Sequence, residues 1–209
     1  MRITTDLLAS LPDDSSIVDV RIGAFWTAVV AERDGRRRCG LASALHGADH
    51  HQRGTFPIPD AGRLTTYRPL QLAQLVRSES LLEASVGMAA INALLDVDEA
   101  SCVELNAEAV IAKRGQGKNV VIVGHFPFIP RLEAKVGRLS VLEQRPGPED
   151  MPAEAAPDVL PQADVVANTS TSLINGTFEE LIGLCRPDAF VLLLGPSTPM
   201  TPLVFAYRV

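Results

Sequence analysis

The chain has 209 residues, of which 46% are hydrophobic and 21% are charged, and its formal net charge at pH 7 is −6. A chain of this size and composition can bury a core as one domain or two. Its longest basic cluster, Arg36, Arg37 and Arg38, is too short to supply the basic surface that nucleic-acid binding requires. Composition and charge therefore argue against a nucleic-acid partner.

Two further features concern the cellular location. The first residues lack an apolar segment, and no apolar run approaches the roughly 20 residues that span a bilayer. The three cysteines, Cys39, Cys102 and Cys185, are odd in number and widely separated, which is typical of reduced thiols and not of a zinc site. We expect a cytoplasmic protein without a membrane partner.

The first half of the chain predicts antiparallel strands followed by helices. Residues 17–32 are rich in Val, Ile, Phe and Trp, and Asp34-Gly35 separates them from a second strand-like run at 36–42. Asp-Gly between two such runs is a strong hairpin signal. Helices are predicted at 70–76 and 80–95, and the second has many small residues that would let another element approach closely. This order defines an α+β unit.

A polar segment at residues 47–63 predicts an exposed loop between these strands and helices. His46 and His50 are four residues apart, and His51 adds a third imidazole. On a helix this spacing would place two imidazoles together for a metal ion. The glycines and prolines around them favour a solvated loop, where the spacing loses its meaning.

The second half predicts a Rossmann-like domain. Short apolar strands are expected at 120–123, 139–142, 164–167 and 190–194, with helices at 106–114, 129–136 and 178–185. Strands that are apolar throughout are covered on both faces, which indicates a parallel sheet. The Pro-rich residues 145–161 should hold only a short helix. We predict two domains: residues 1–104, of α+β type, and residues 105–209, Rossmann-like.

Ligands of open parallel sheets bind beyond the carboxyl ends of the strands, so the residues after each strand are the first candidates. Gly124, His125 and Phe126 follow the first strand of the second half. Gly124 permits close backbone approach, and His125 could act as a base, a hydrogen-bond donor or a metal ligand. A histidine that simply bonds a neighbouring loop explains the sequence equally well.

Glu143 ends the next strand, 19 residues after Gly124. In nucleotide-binding Rossmann units an acidic residue at about this distance accepts hydrogen bonds from ribose hydroxyls. However, Phe126 and Ile129 occupy positions where the dinucleotide fingerprint needs glycine, which disfavours a dinucleotide. A nucleoside-type ligand, another polar small molecule and a merely exposed Glu143 all remain open.

Residues 168–177 form a dense run of Thr, Ser and Asn that includes Thr169, Asn175, Gly176 and Thr177. Thr177 with Glu180 fits a capping box. One cap cannot use all of these hydroxyl and amide groups, and the free N–H groups of a helix start attract anions. We therefore favour a binding loop here.

The last such segment is Gly195, Pro196, Ser197 and Thr198. Ser197 or Thr198 could cap a helix that begins at Pro199, or the segment could form a backbone cradle that faces the same crevice. These two interpretations are compatible.

Asn92 is a polar residue on an otherwise apolar helix face. It is either a satisfied core amide or a group that points from the first domain into a crevice between the domains.

Several of these segments also carry a resemblance to a known family. Gly40-Leu41-Ala42-Ser43, Gly124-His125-Phe126-Pro127, Asn175-Gly176-Thr177 and Leu194 to Pro199 resemble, in this order, segments of the DUF364 family, whose domain is named for heavy-metal chelation. The resemblance implies an enolase N-terminal-like domain, a Rossmann-like domain and a site between them. It also implies a link to heavy-metal handling or corrinoid-related metabolism. Members of that family are expected to continue beyond the position of Val209.

We therefore predict a small-molecule or metal-complex binding protein with a polar site between its two domains. The alternative is an enzyme that uses a nucleoside-containing cosubstrate or a corrinoid-related substrate, with His125 as the candidate catalytic residue. The predicted ligand-binding residues are Asn92, Gly124, His125, Phe126, Glu143, Thr169, Asn175, Gly176, Thr177, Gly195, Pro196, Ser197 and Thr198.

The sequence leaves several ligands open: a divalent or heavy metal ion, a nucleoside-type ligand and a corrinoid-type ligand. His125 and Glu143 are the candidate metal ligands. Because no cysteine cluster supplies thiolates, an oxygen and imidazole site or a bound organic chelate fits better than soft-metal selectivity. A homo-oligomer is compatible with the sequence.

Overall fold

A computed structural model describes residues 1–46 and 58–209 of the chain. His50, His51 and most of the predicted polar loop lie outside the described residues. The helices, in chain order, are α1 (Arg2–Ala9), α2 (Pro69–Gln74), α3 (Leu81–Leu94), α4 (Ala107–Gly115), α5 (Ile129–Leu132), α6 (Ala156–Val159), α7 (Thr171–Ile174) and α8 (Phe178–Leu184). The strands are β1 (Ser16–Ile22), β2 (Trp26–Arg33), β3 (Arg36–Ser43), β4 (Asn119–Val123), β5 (Arg138–Glu143), β6 (Met151–Pro152), β7 (Val165–Thr169) and β8 (Phe190–Leu194). Short 3₁₀ helices lie at Leu64–Thr66, Leu75–Arg77, Glu99–Ser101, Glu133–Lys135, Ala153–Ala155, Leu160–Gln162 and Pro202–Tyr207.

The chain divides into two compact units that are not contiguous in sequence. Unit 1 contains Met1–Val97, Ser170–Gly176 and Gly195–Val204, and unit 2 contains Asp98–Thr169, Thr177–Leu194 and Phe205–Val209. The segments that follow β7 and β8 thus belong to unit 1, although the strands themselves belong to unit 2. The predicted domain boundary between residues 104 and 105 stays a prediction.

Unit 1 contains an antiparallel sheet in the order β1-β2-β3. Asp34 (φ 52°) and Gly35 (φ 71°) both have positive φ, as a type I′ turn requires, so the predicted hairpin is confirmed. The predicted single run at 17–32 is two strands, because the chain reverses at residues 23–25. There the Gly23 N–H donates to the Trp26 carbonyl at 2.8 Å. This turn lacks the Asn-Gly or Asp-Gly pair that would mark it in a sequence.

Helix α3 packs closely against this sheet. The Ser80 hydroxyl accepts a hydrogen bond from the Glu83 N–H and caps the helix. Most residues of α3 are buried, because the helix packs against β2 and β3 and also against α2 and residues 75–77. A Cβ on Gly40 of β3 would overlap backbone atoms of Ala89 and Ala93. Glycine at this position therefore lets the helix backbone lie directly on the strand.

Unit 2 is built on a five-stranded parallel sheet in the order β6-β5-β4-β7-β8. Numbered within the unit, this is the order 3-2-1-4-5 of a doubly wound sheet. Helices α4 and α5 cover one face through a core that includes Ile111, Ile122, Leu132 and Val165. The predicted fold class, an α+β part followed by a Rossmann-like part, is confirmed.

Two details of unit 2 bear on the candidate site. The predicted helix at 129–136 is the single turn α5 followed by a 3₁₀ turn. The topological switch point lies between β4 and β7, because the chain adds strands on one side of β4 and then on the other. None of the described helices combines the length and apolarity that crossing a bilayer would need.

Candidate functional site

Gly124 follows β4 directly at the switch point. Its φ is +93°, and its N–H donates to the Leu142 carbonyl of β5 at 2.9 Å. A Cβ at this position would lie 3.0 Å from two side-chain carbons of Thr169, at the end of β7. Backbone conformation and space both favour glycine, so the β4 backbone passes close to Thr169 where the two strands end.

His125 is presented beyond this glycine with an acidic side chain behind it. The imidazole side chain is 58% exposed, and its Nε2 lies 3.9 Å from Oδ1 of Asp150, whose side chain is only 10% exposed. This separation is an ion-pair distance and is too long for a hydrogen bond. The other carboxylate oxygen, Oδ2, accepts the Gly147 N–H at 2.9 Å. Asp150 is therefore held by its own turn, and it faces one nitrogen of an exposed imidazole.

Phe126 anchors the loop that carries His125. Its ring stacks on Phe128 with a centroid separation of 5.2 Å and an interplanar angle of 13°, and both rings pack against the core below the sheet. This packing fixes the segment that directly follows His125. Phe126 thus has a clear structural role, and its predicted contact with a ligand stays a prediction.

Glu143, at the end of β5, turns its carboxylate back onto its own loop. Oε1 accepts the backbone N–H of Gln144 at 2.7 Å and that of Arg145 at 3.4 Å. This conformation explains the residue as a cap of the loop that follows β5. A role in holding a ribose stays a prediction.

The polar run after β7 points largely inward. Asn168, Ser170 and Ser172 are each at most 1% exposed. Thr177 is the N-cap of α8, but its backbone is helical (φ −88°, ψ −8°) and its side chain accepts no cap hydrogen bond. The predicted capping box is wrong, since a capping side chain needs an extended backbone at the N-cap.

Asn175 and Gly176 border a cleft of about 500 Å³ within unit 1. The opposite walls are α1 and residues 76–81, and Arg77 there donates to the Thr5 hydroxyl at 3.0 Å. Gly176 has a φ of +83° with open space around its α-carbon. The Asn-Gly pair is thus accessible from solvent on this side.

The Gly195–Thr198 segment is a turn and not a helix start. Both the N–H and the hydroxyl of Thr198 donate to the Gly195 carbonyl, at 3.1 and 2.7 Å. The predicted helix at Pro199 is wrong, because the next helical turn begins at Pro202. Thr198 therefore closes its own turn, and Pro196 lies inside it.

Ser197 joins this turn to the N-terminal sheet. It is fully buried; its Oγ accepts the Ser43 N–H at 2.9 Å and donates to the Ser43 Oγ at 3.4 Å. Gly195, with a φ of +108°, leaves room for Ser170, whose Oγ would lie 3.0 Å from a Cβ there. The segments after β7 and β8 therefore contact each other and β3 within unit 1.

Asn92 connects α3 to the same strand. Its Nδ2 donates to the Leu41 carbonyl at 2.9 Å. Its Oδ1 is buried and accepts no hydrogen bond from any described residue. The amide is thus satisfied on its donor side only.

The predicted site residues fall into two groups. Gly124, His125, Phe126, Glu143, Thr169 and Thr177 belong to unit 2, whereas Asn92, Asn175, Gly176, Gly195, Pro196, Ser197 and Thr198 belong to unit 1. That all of them line one site stays a prediction. Sequence reasoning missed Asp150, because a carboxylate in a Pro- and Gly-containing segment signals only a turn.

The described residues contain no group of three or more His, Cys, Asp and Glu side chains that could hold a metal ion. A bare heavy-metal ion normally takes several such ligands. His125 and Glu143, the candidate metal ligands, therefore lack a set of protein partners in the described part of the chain.

Comparisons with known proteins cover both halves of the chain. Residues 106–209 match the family DUF364 and residues 5–95 match DUF4213, and both are described as "Putative heavy-metal chelation". No curated protein matches the chain.

Two crystal structures of DUF364 proteins of unknown function have the same fold. The protein from Desulfitobacterium hafniense DCB-2 is 26% identical, with a TM-score of 0.84 over 99% of this chain and 82% of that one. The protein from Pyrococcus horikoshii is 22% identical, with a TM-score of 0.78 over 97% of this chain and 81% of that one.

Proposed function

This chain belongs to the DUF364 family, and on that premise we propose that it binds a metal ion already held by an organic chelator. The complex binds at the carboxyl edge of the parallel sheet, beside Gly124 and His125. The strand order supports this location, because ligands of doubly wound sheets bind at the switch point, here between β4 and β7.

The observation that carries the proposal is the His125–Asp150 pair. Metal-binding histidines almost always direct their second ring nitrogen to a carboxylate, a carbonyl or water, which fixes the ring and raises its basicity. Asp150 lies on the Nε2 side of His125, 3.9 Å away; when a metal complex binds, this carboxylate would accept the Nε2 hydrogen bond and leave Nδ1 as the ligating atom. The pair supports one strong metal bond from the protein.

One bond suits a chelated metal better than a bare ion. An organic macrocycle supplies most of the ligands of its metal, so the protein would need to supply only one side chain. The absence of a three-residue ligand set among the described residues argues in the same direction. A corrinoid-type or haem-type complex would need only His125 from the protein. The interdomain position predicted for the site stays a prediction.

The test is a spectroscopic titration of the whole chain with aquacobalamin and, separately, with haemin. Replacement of metal-bound water by imidazole changes the visible spectrum, so binding and ligation are read together. We expect saturable binding, weakened about 100-fold or more in His125→Ala and about 10- to 100-fold in Asp150→Asn. Zn²⁺ alone serves as the bare-ion comparison, and the affinity for Zn²⁺ should depend little on His125.

His46→Ala is the matched control, since its imidazole lies 3.2 Å from the Ala24 carbonyl in unit 1. It should bind both complexes as the wild type does. If neither complex binds saturably, or if both bind equally well to His125→Ala, the proposal is wrong.

An enzyme acting on a nucleoside-type ligand is the second candidate. The His125–Asp150 pair would also suit a general base, because the nearby carboxylate would stabilise the imidazole when it takes up a proton. Glu143 gives this candidate less support, since one of its oxygens already accepts two backbone N–H groups. A homo-oligomer stays a prediction in either case.

A further inference from the structure

We propose that unit 2 carries a second ligand site, at the amino edge of the parallel sheet, which binds an aromatic organic anion bearing phosphate groups. The site is a cleft of about 680 Å³ formed by the last turns of α4, the turn after it and the first residue of β8. Its volume is within the range typical of small-molecule sites.

Three basic side chains line this cleft: Lys113, Arg114 and Lys118. In the described part of the chain none of them forms an ion pair with a carboxylate, whereas Arg131 and Lys135 nearby both bind Glu108. The pKa of Asp164 is lowered mainly by the Asn119 N–H, then by Arg186, and least by the charge of Lys118. That carboxylate is already bound by the Asn119 N–H and by Arg186. The cleft thus concentrates positive charge in a chain whose net charge is −6.

A purely structural role is available to Lys113 and Arg114: both lie in the last turn of α4, where they complement the helix dipole. A helix dipole is equivalent to about half a negative charge at that end. Three cations supply several times this amount. The excess positive charge is available for a ligand with two or more negative charges.

The floor of the cleft is apolar and aromatic. The Arg114 guanidinium lies 4.4 Å above the centre of the Phe190 ring, and Leu105, 70% exposed, borders the same space. The Phe190 ring occupies one side of the guanidinium, whose exposed side can contact a planar ring of a ligand and whose N–H groups can donate hydrogen bonds. In a ligand that joins a flat ring to phosphate groups, the ring would pack on the apolar floor and the phosphates would bind the lysines.

This site is distinct from the one proposed at the switch point. The strands between the two edges are five residues long, which at 3.3 Å per residue separates the edges by roughly 16 Å. Side chains of one site can therefore be changed without touching the other.

The test is isothermal titration calorimetry of the whole chain at low salt with ADP, adenosine and inorganic pyrophosphate. ADP carries both the ring and the charge, and each of the other probes carries one of them. We expect saturable ADP binding, at least tenfold weaker binding of pyrophosphate and the weakest binding for adenosine. Lys113→Ala and Lys118→Ala should each weaken ADP binding about tenfold or more. Arg114→Ala should remove most of the difference in affinity between ADP and pyrophosphate.

Arg36→Ala is the control for loss of one positive charge, since Arg36 is an exposed residue of unit 1. It should bind ADP as the wild type does, and so should His125→Ala. Lack of saturable ADP binding at millimolar concentration overturns the inference, as does equal affinity in Lys118→Ala and the wild type. Loss of ADP binding in His125→Ala alone would place ADP at the switch point instead. That result would overturn this inference and leave the first proposal to its own test.

Discussion

Replacement of Gly40 by alanine tests the packing of α3 on β3 most directly. The new Cβ would overlap the Ala89 carbonyl oxygen and the Ala93 nitrogen and would lie 2.6 Å from the Asn92 carbonyl carbon. Carbon atoms in contact are about 3.5–4.0 Å apart, so the helix must move by about 1 Å. Overpacking typically costs about 1–3 kcal/mol. Since all three obstructing atoms are backbone, we expect a loss of about 3 kcal/mol.

The single tryptophan, Trp26, lies on β2 beside β3, so its fluorescence reports the unfolding of unit 1. With a urea dependence of about 1–3 kcal/mol per molar, the midpoint should fall by about 1–3 M. Leu41→Ala is the matched control: it is the next residue of the strand, on the opposite face and 42% exposed. We expect it to cost about 1 kcal/mol. Equal midpoints for Gly40→Ala and the wild type would refute the close approach of α3 to β3.

Two further predictions concern hydrogen bonds and pH. Ser197→Ala removes the acceptor of the Ser43 N–H, and an unsatisfied group of this kind costs about 1–3 kcal/mol. The same fluorescence titration measures it, and a loss below about 0.5 kcal/mol would contradict the assignment. Glu108 binds two basic side chains that hold its pKa at about 2 instead of 4.5. Because the folded-state pKa is lower, its stabilising contribution is complete above about pH 4.5 and is lost as the pH falls towards 2. Glu108→Gln should therefore melt below the wild type at pH 6, with a difference that shrinks by pH 3; a constant difference in circular-dichroism melting temperature would contradict this.

Much of the fold could be predicted from local patterns. Strands β4, β7 and β8 were predictable as short, largely apolar runs, and β4 and β7 are buried on both faces, as that composition indicates. The edge strand β8 is mostly half-buried. The Asp34-Gly35 turn was predictable because glycine accepts positive φ at little cost. The reversal at residues 23–25 was not, since it contains no Asn-Gly or Asp-Gly pair; backbone hydrogen bonds such as that from Gly23 to Trp26 close it. Helix α1 was also missed, although Ile3 and Leu7 are buried on one of its faces.

The candidate site was predictable in part. The rule that ligands bind beyond the carboxyl ends of strands pointed to Gly124 and His125, and the strand order places them at the switch point. Asp150 could not be found in this way, because its relation to His125 depends on how the segment after β5 folds back. The polar composition of a segment also did not predict whether its side chains point inward or towards solvent. Ser170 and Ser197 are buried within unit 1, although the sequence suggested side chains that face a ligand.

The sequence by itself determined most of the strands and helices, and hence the fold class, because apolar periodicity and glycine turns act over a few residues. The tertiary structure decided which polar side chains meet. Ser197 bonds Ser43 across 154 positions, and Asp150 faces His125 across a sheet edge. Such pairs depend on the strand order and on the assignment of the segments after β7 and β8 to unit 1. These are global properties of the packed chain, since no local preference encodes which distant strand becomes a neighbour.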